Sequence, residues 1–172
     1  MFRVPSLSAI FALFVLALPD AASAAPVPAV EKVQGQAIIL RPITLVKLAD
    51  MEFASLGVTT GGTATIDPVS GNMTLSGGLI HLAGTPSPAR YAGAASRQTV
   101  VNIRIPKQPI LIRRVGGTET LSVSNFTLDG QDKKALAQQQ SFHFAVGARI
   151  TVPANTIEGL YEGEIDVTVH YP

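Results

Sequence analysis

Three histidines and a short run of acids are the residues with reactive potential in this 172-residue chain. His81, His143 and His170 form no His-x-x-x-His pair and no other metal-ligand spacing. His143 stands between Phe142 and Phe144, so in a strand it turns away from whatever the two rings pack on. Glu158, Glu162, Glu164 and Asp166 carry the groups an acid/base pair needs. The last three alternate with apolar residues, which reads as the solvated side of a strand, with nothing to indicate desolvation. The chain has no Cys, which excludes a thiol nucleophile, a thiolate zinc site and a disulfide. It has no Gly-x-Ser-x-Gly, no phosphate-binding loop and no dinucleotide fingerprint. The sequence therefore predicts no catalytic residue, no metal site and no cofactor.

Charge and composition narrow the partners. Apolar residues make up 47% and charged residues 15%, a composition that can build a core. A net charge of +1 gives no overall attraction to nucleic acid. Beyond residue 24 the aromatics are Phe53, Tyr91, Phe126, Phe142, Phe144, Tyr161 and Tyr171. They are too dispersed for a base-stacking platform and too few for the girdles of a membrane barrel.

The elements that must position any function begin after a leader. Arg3 precedes an apolar run from Leu7 to Leu18, and Ala22-Ser23-Ala24 offers the small residues a signal peptidase reads. Residues 1–24 are expected to be a secretory signal, cleaved after Ala24, which places the protein in the periplasm or on the cell surface. The run is shorter than the ~20 residues of a membrane span, so no stable span is expected after cleavage.

Residues 25–42 read as an N-terminal extension. Val33, Gly35, Ala37 and Ile39 share one face, and Lys32, Gln34 and Gln36 the other. Such a segment serves equally as an ordinary first strand or as a strand added to another molecule's sheet. Residues 43–172 are expected to form a single domain of eight to ten short strands. Runs appear at 43–48, 63–66, 73–76, 79–82, 99–105, 110–115, 120–123, 142–146 and 149–152. Asp67-Pro68-Val69-Ser70-Gly71-Asn72 marks a hairpin turn. The pairs Gly61-Gly62, Gly77-Gly78 and Gly116-Gly117 read as turns at strand ends, and 132–140 as a loop or a single helical turn. The last strand, Tyr161 to Tyr171, alternates most strictly. Tyr161, Gly163, Ile165, Val167, Val169 and Tyr171 lie on one face. Glu162, Glu164 and Asp166 on the other call for basic neighbours, for which Arg104, Arg113, Arg114 and Arg149 are available. Turn signals at this spacing indicate an all-β antiparallel β-sandwich, with a closed barrel second.

The end of the chain resembles a known family. Phe142-His143-Phe144-Ala145-Val146-Gly147-Ala148-Arg149-Ile150-Thr151-Val152, Gly159-Leu160-Tyr161-Glu162-Gly163 and Val167-Thr168-Val169-His170-Tyr171 are similar to the exported bacterial family of unknown function DUF4402. Ile66-Asp67-Pro68-Val69-Ser70-Gly71 and Pro88-Ala89-Arg90-Tyr91 match more loosely. That family resembles the immunoglobulin-like subunits of chaperone–usher pili, the adhesive fimbriae of Gram-negative bacteria. Tyr171 is penultimate and Gly159 is fourteenth from the end, as in a pilin terminus.

The resemblance implies a pilin-like, immunoglobulin-like sandwich that lacks one strand. Its open groove would take first a periplasmic chaperone strand, then the extension of a neighbouring identical or related subunit. Val33, Gly35, Ala37 and Ile39 would be the donor-strand plugs, and the strand bearing Gly159, Tyr161, Gly163, Ile165, Val167, Val169 and Tyr171 would flank the groove. The implied role is a non-enzymatic structural subunit. A stand-alone periplasmic or surface module binding a glycan or a protein is the alternative, and a secreted hydrolase using the C-terminal acids is a distant third.

Overall fold

The computed structural model describes residues 34–138 and 140–172. The predicted signal peptide and Val33 lie outside the described residues. Contact clustering separates the chain up to Ala37 from Ile38–Pro172. Of the first unit, Gln34, Gly35, Gln36 and Ala37 are exposed and belong to no strand.

The second unit is all-β, with antiparallel pairing throughout and no helix among the described residues. Its strands are β1 Thr44–Ala49, β2 Ser55–Ile66, β3 Met73–Ala83, β4 Ala89–Ala94, β5 Thr99–Arg104, β6 Ile110–Arg114, β7 Thr120–Leu128, β8 Lys133–Leu136, β9 Ser141–Val152, β10 Tyr161–Glu162 and β11 Thr168–His170. They form an eight-stranded sheet in the order β1-β4-β9-β7-β6-β10, with β2 and β3 joined through β9, and a three-stranded sheet in the order β11-β5-β8.

β9 is the strand on which the large sheet is built. Its first half pairs with β4 (Phe142↔Gly93, Phe144↔Tyr91) and its second half with β2 (Ile150↔Ala64). β7 pairs along its other edge (Ile150↔Val123, Val146↔Leu128). Its middle is covered on both faces, with Phe144, Ala145, Val146 and Ala148 buried, while Ser141, His143, Arg149 and Thr151 keep a wet side towards its ends. The two runs read at 142–146 and 149–152 are thus one strand.

Two apolar clusters form the core. The first holds Tyr91, Val101, Ile103, Leu136, Phe142, Phe144 and Val146, drawn from both sheets. Phe144 stacks on Tyr91 with ring centroids 5.0 Å apart and on Phe142 at 6.3 Å. Burial raises the Tyr91 phenol pKa. The second cluster holds Ala64, Leu79, Leu121, Val123, Ala148, Ile150 and Val152 within the large sheet.

The β2–β3 hairpin closes where the turn residues predict. Asp67 Oδ1 accepts from the Val69 and Ser70 amides and from the Ser70 hydroxyl, at 3.0, 2.7 and 2.9 Å. These donors, the Ser70 amide foremost, hold the carboxyl below its ordinary pKa. Gly71 takes a positive φ of 74° to bring the chain round into β3.

Four readings are corrected. Gly61-Gly62 and Gly77-Gly78 are not at strand ends; they lie opposite one another inside β2 and β3, where the register shifts. A Cβ on Gly62 would sit 2.0 Å from the Ser76 carbonyl oxygen, so close backbone approach is the reason for glycine there. Residues 133–136 are strand β8, because Leu136 inserts into the first cluster while β5 supplies a ladder (Thr99↔Leu136). β4 emerges from a stretch whose small residues, Ala89, Ala92, Gly93 and Ala94, give weak alternation. The last strand is not continuous. β10 pairs with β6 in the large sheet, β11 pairs with β5 in the small one, and residues 163–167 cross between them outside any strand.

Candidate functional site

β1 and β11 are the terminal strands of their sheets, and both rim the first core cluster. Leu45 of β1 with Ile43 just before it, and Val169 of β11 with its flanking Val167 and Tyr171, pack against it while staying half-buried. β1 has β4 as its one neighbour and β11 has β5. No ladder joins β1 to β11 among the described residues.

They meet instead through a hydroxyl. Tyr171 Oη donates to the Arg41 carbonyl oxygen at 2.7 Å and accepts from the Ser96 amide at 2.9 Å. The Arg41 amide donates to Ser96 Oγ at 2.7 Å, and Arg41 Nη1 donates to Gln140 Oε1 at 3.2 Å. Both backbone groups of Arg41 are therefore fixed where the chain enters β1. Just upstream, Ile38 is 88% and Ile39 94% exposed. On the other flank β8 closes against β9, with Lys134 Nζ donating to the His143 carbonyl oxygen.

The opening continues along residues 163–167. Ile165 and Val167 are half-buried, yet no backbone hydrogen bond ties this stretch to another described segment. Gly163 permits the crossing: a Cβ there would lie 2.5 Å from Ile112 Cγ2. Gly159 packs over the Arg114 stem, where a Cβ would meet Arg114 Cδ at 2.8 Å. Arg114 Nε donates to Glu119 Oε2 at 2.7 Å, which lowers the Glu119 pKa to about 2. Tyr161 donates its hydroxyl to the Ile157 carbonyl oxygen at 2.7 Å.

The acids of this region are solvated. Glu162 stands opposite Arg113 in the β10–β6 register. Glu164, Asp166, Arg104 and Lys107 share the walls of a shallow groove of about 390 Å³. None of these acids is in an ion pair within 4.0 Å among the described residues. Arg114 is taken by Glu119, and Arg149 Nε donates to Thr65 Oγ1, so two of the four arginines expected to face the acids are engaged elsewhere. His81, His143 and His170 belong to β3, β9 and β11. Among the described residues no three metal-capable side chains come together. What this rim presents is unpaired backbone beside half-buried apolar side chains.

The family model for the domain of unknown function DUF4402 matches residues 43–171. The chain belongs to this family. Comparison with the curated proteins and with the solved structures gives no significant match. The DUF4402 match begins at Ile43, two residues past the Arg41 clamp, and ends on Tyr171.

Of the expected plugs, Gly35, Ala37 and Ile39 are exposed and outside any strand, and Val33 lies outside the described residues. Of the C-terminal set, Tyr161 belongs to β10 and Val169 to β11, while Gly163, Ile165 and Val167 lie on the unpaired crossing. Sequence reading missed Arg41 and Ser96, because their partner Tyr171 is 130 and 75 residues away and no local pattern marks the contact.

Proposed function

We propose that this DUF4402 protein is a non-enzymatic exported structural subunit, built as a pilin-like, immunoglobulin-like sandwich that assembles by β-strand addition. The observation that carries the reading is the pair of free sheet edges, one on β1 and one on β11 with the unpaired stretch 163–167 before it, where Ile43, Leu45, Val167, Val169 and Tyr171 pack against the first core cluster while half-buried. Exposed sheet edges promote association unless something covers them. An added strand would satisfy the free backbone groups of the rim and cover the half-buried Ile165, Val167 and Leu45 with alternate side chains. The extension of a neighbouring copy supplies such a strand, with Val33, Gly35, Ala37 and Ile39 as the inserting residues. A periplasmic chaperone strand would occupy the same place before assembly. Head-to-tail addition of this kind does not close on itself and yields a filament at the cell surface.

The test is deletion of residues 25–36 from the exported protein, followed by unboiled SDS gels of surface extracts. The intact protein is expected to give a high-mass ladder that the deletion abolishes. A ladder that survives the deletion, or no ladder from the intact protein, overturns the reading.

A further inference from the structure

A cleft of about 440 Å³ opens between the Asp67–Asn72 turn, β3 and the loop leading into β4. Its volume lies in the range of small-ligand sites, about 300–1,000 Å³. Met73 and Leu75 form an apolar floor, and both also pack against the second core cluster. Asn72, His81, Thr85 and Arg90 stand on its walls, and no carboxylate lines it. We propose that this cleft is a binding site for a carboxylated saccharide, with Arg90 holding the carboxylate. The site is separate from the strand-addition rim and goes beyond the structural role.

The charge distribution supports the carboxylate. The Arg90 guanidinium, like those of Arg97, Arg104 and Arg113, has no ion pair or hydrogen bond among the described residues, and of these four Arg90 lines the cleft. A guanidinium offers a planar fork of donors that matches a carboxylate. Asp67, the acid of the adjoining turn, does not line the cleft, and its Oδ1 is turned to the Val69 and Ser70 donors of its own turn.

The remaining groups suit hydroxyls. His81 Nε2 lies 3.0 Å from the Gly84 carbonyl oxygen. A carbonyl can only accept, so that nitrogen donates and Nδ1 is left for a second hydrogen bond. The Asn72 backbone amide donates to Ser70 Oγ, but its side-chain carboxamide and the Thr85 hydroxyl are in no hydrogen bond among the described residues and add donors and acceptors. The apolar floor matches the C–H face of a pyranose ring. With no aromatic platform in the cleft, affinity is set by the charged contact and is modest.

Trigalacturonate, its methyl ester and inorganic phosphate, each titrated into the full exported chain and followed by amide NMR shifts, test the site. Trigalacturonate is expected to move amides of residues 70–73 and 81–90, and Arg90→Gln or esterification to weaken it about tenfold. Asn72→Ala, which leaves the charge in place, is expected to weaken it about threefold. Four results would each overturn the proposal. These are no shift at the cleft up to about 10 mM ligand, binding unchanged by Arg90→Gln, equal binding of the ester, and phosphate reproducing the same shifts at the same concentrations.

Discussion

The Tyr171 hydroxyl donates to the Arg41 carbonyl oxygen across 130 residues of chain, and the Tyr171 hydroxyl oxygen accepts from the Ser96 amide. One side chain thus ties the rim of the small sheet to the point where the chain enters the large one. Tyr171→Phe keeps the ring and strands two backbone groups, one of them part-buried. The expected loss is about 1–2 kcal/mol in urea unfolding. Faster amide exchange at Ser96 is expected to accompany it. Unchanged stability together with unchanged Ser96 exchange would contradict this account.

Residues 163–167 have no backbone partner to lose. Asp166→Pro removes an amide donor from that stretch and is expected to change monomer stability by less than about 1 kcal/mol. If strands add along this edge, the same substitution blocks the ladder on unboiled gels, while Asp166→Ala, which keeps the amide, preserves it. Equal ladders from both variants would remove residues 163–167 from the assembly surface.

The aromatic layer under β4 tolerates little. Gly93 pairs with Phe142, and a Cβ there would lie 2.3 Å from the ring. Gly93→Ala is expected to cost about 1–3 kcal/mol by displacing that ring. Phe144→Ala leaves a cavity beneath Tyr91 and is expected to cost about 3–5 kcal/mol. Both are read from the midpoint of urea unfolding at constant slope.

Glu119 titrates at about 2 in the folded protein, against an ordinary value of 4.5, because Arg114 donates to its carboxylate. A carboxyl lowered by folding stabilises the fold above its unfolded pKa, and that stabilisation disappears as pH falls through the folded value. Wild type is therefore expected to lose stability between pH 4.5 and about 2, with Glu119→Gln losing less over the same window. Parallel pH profiles for the two proteins would show that the pair adds nothing in solution.

Strand identity was legible wherever β-branched residues alternate. Thr99–Arg104, Ile110–Arg114 and both halves of β9 stand out in the sequence because their packing is written into side-chain type. β4 and β8 were not legible. Ala89, Ala92, Gly93 and Ala94 carry little side chain to pattern, Gly93 because the Phe142 ring lies over it, and the Lys-rich start of β8 hides a strand whose one buried residue is Leu136. The alternation of residues 161–171 correctly marks Tyr161, Ile165, Val167, Val169 and Tyr171 as the half-buried face. It says nothing of pairing, since the period fixes which side a residue faces but not which strand, or which sheet, lies beside it. The rim is likewise invisible to local patterns, because a missing neighbour leaves no mark on the residues that lack it.

The central position of β9 also dictates when the protein can become itself. β2, β4 and β7 all precede β9 in the chain, and each leans on it. Until β9 arrives the β1–β4, β2–β3 and β6–β7 pairs have no common strand to join them into one sheet, so completion of the sheet is late. Topologies dominated by such distant pairings mature on the millisecond-to-second scale. Throughout that interval the nascent polypeptide shows sticky, half-formed surface to its surroundings, which makes its custody during biogenesis as much a requirement of the architecture as any bond within it.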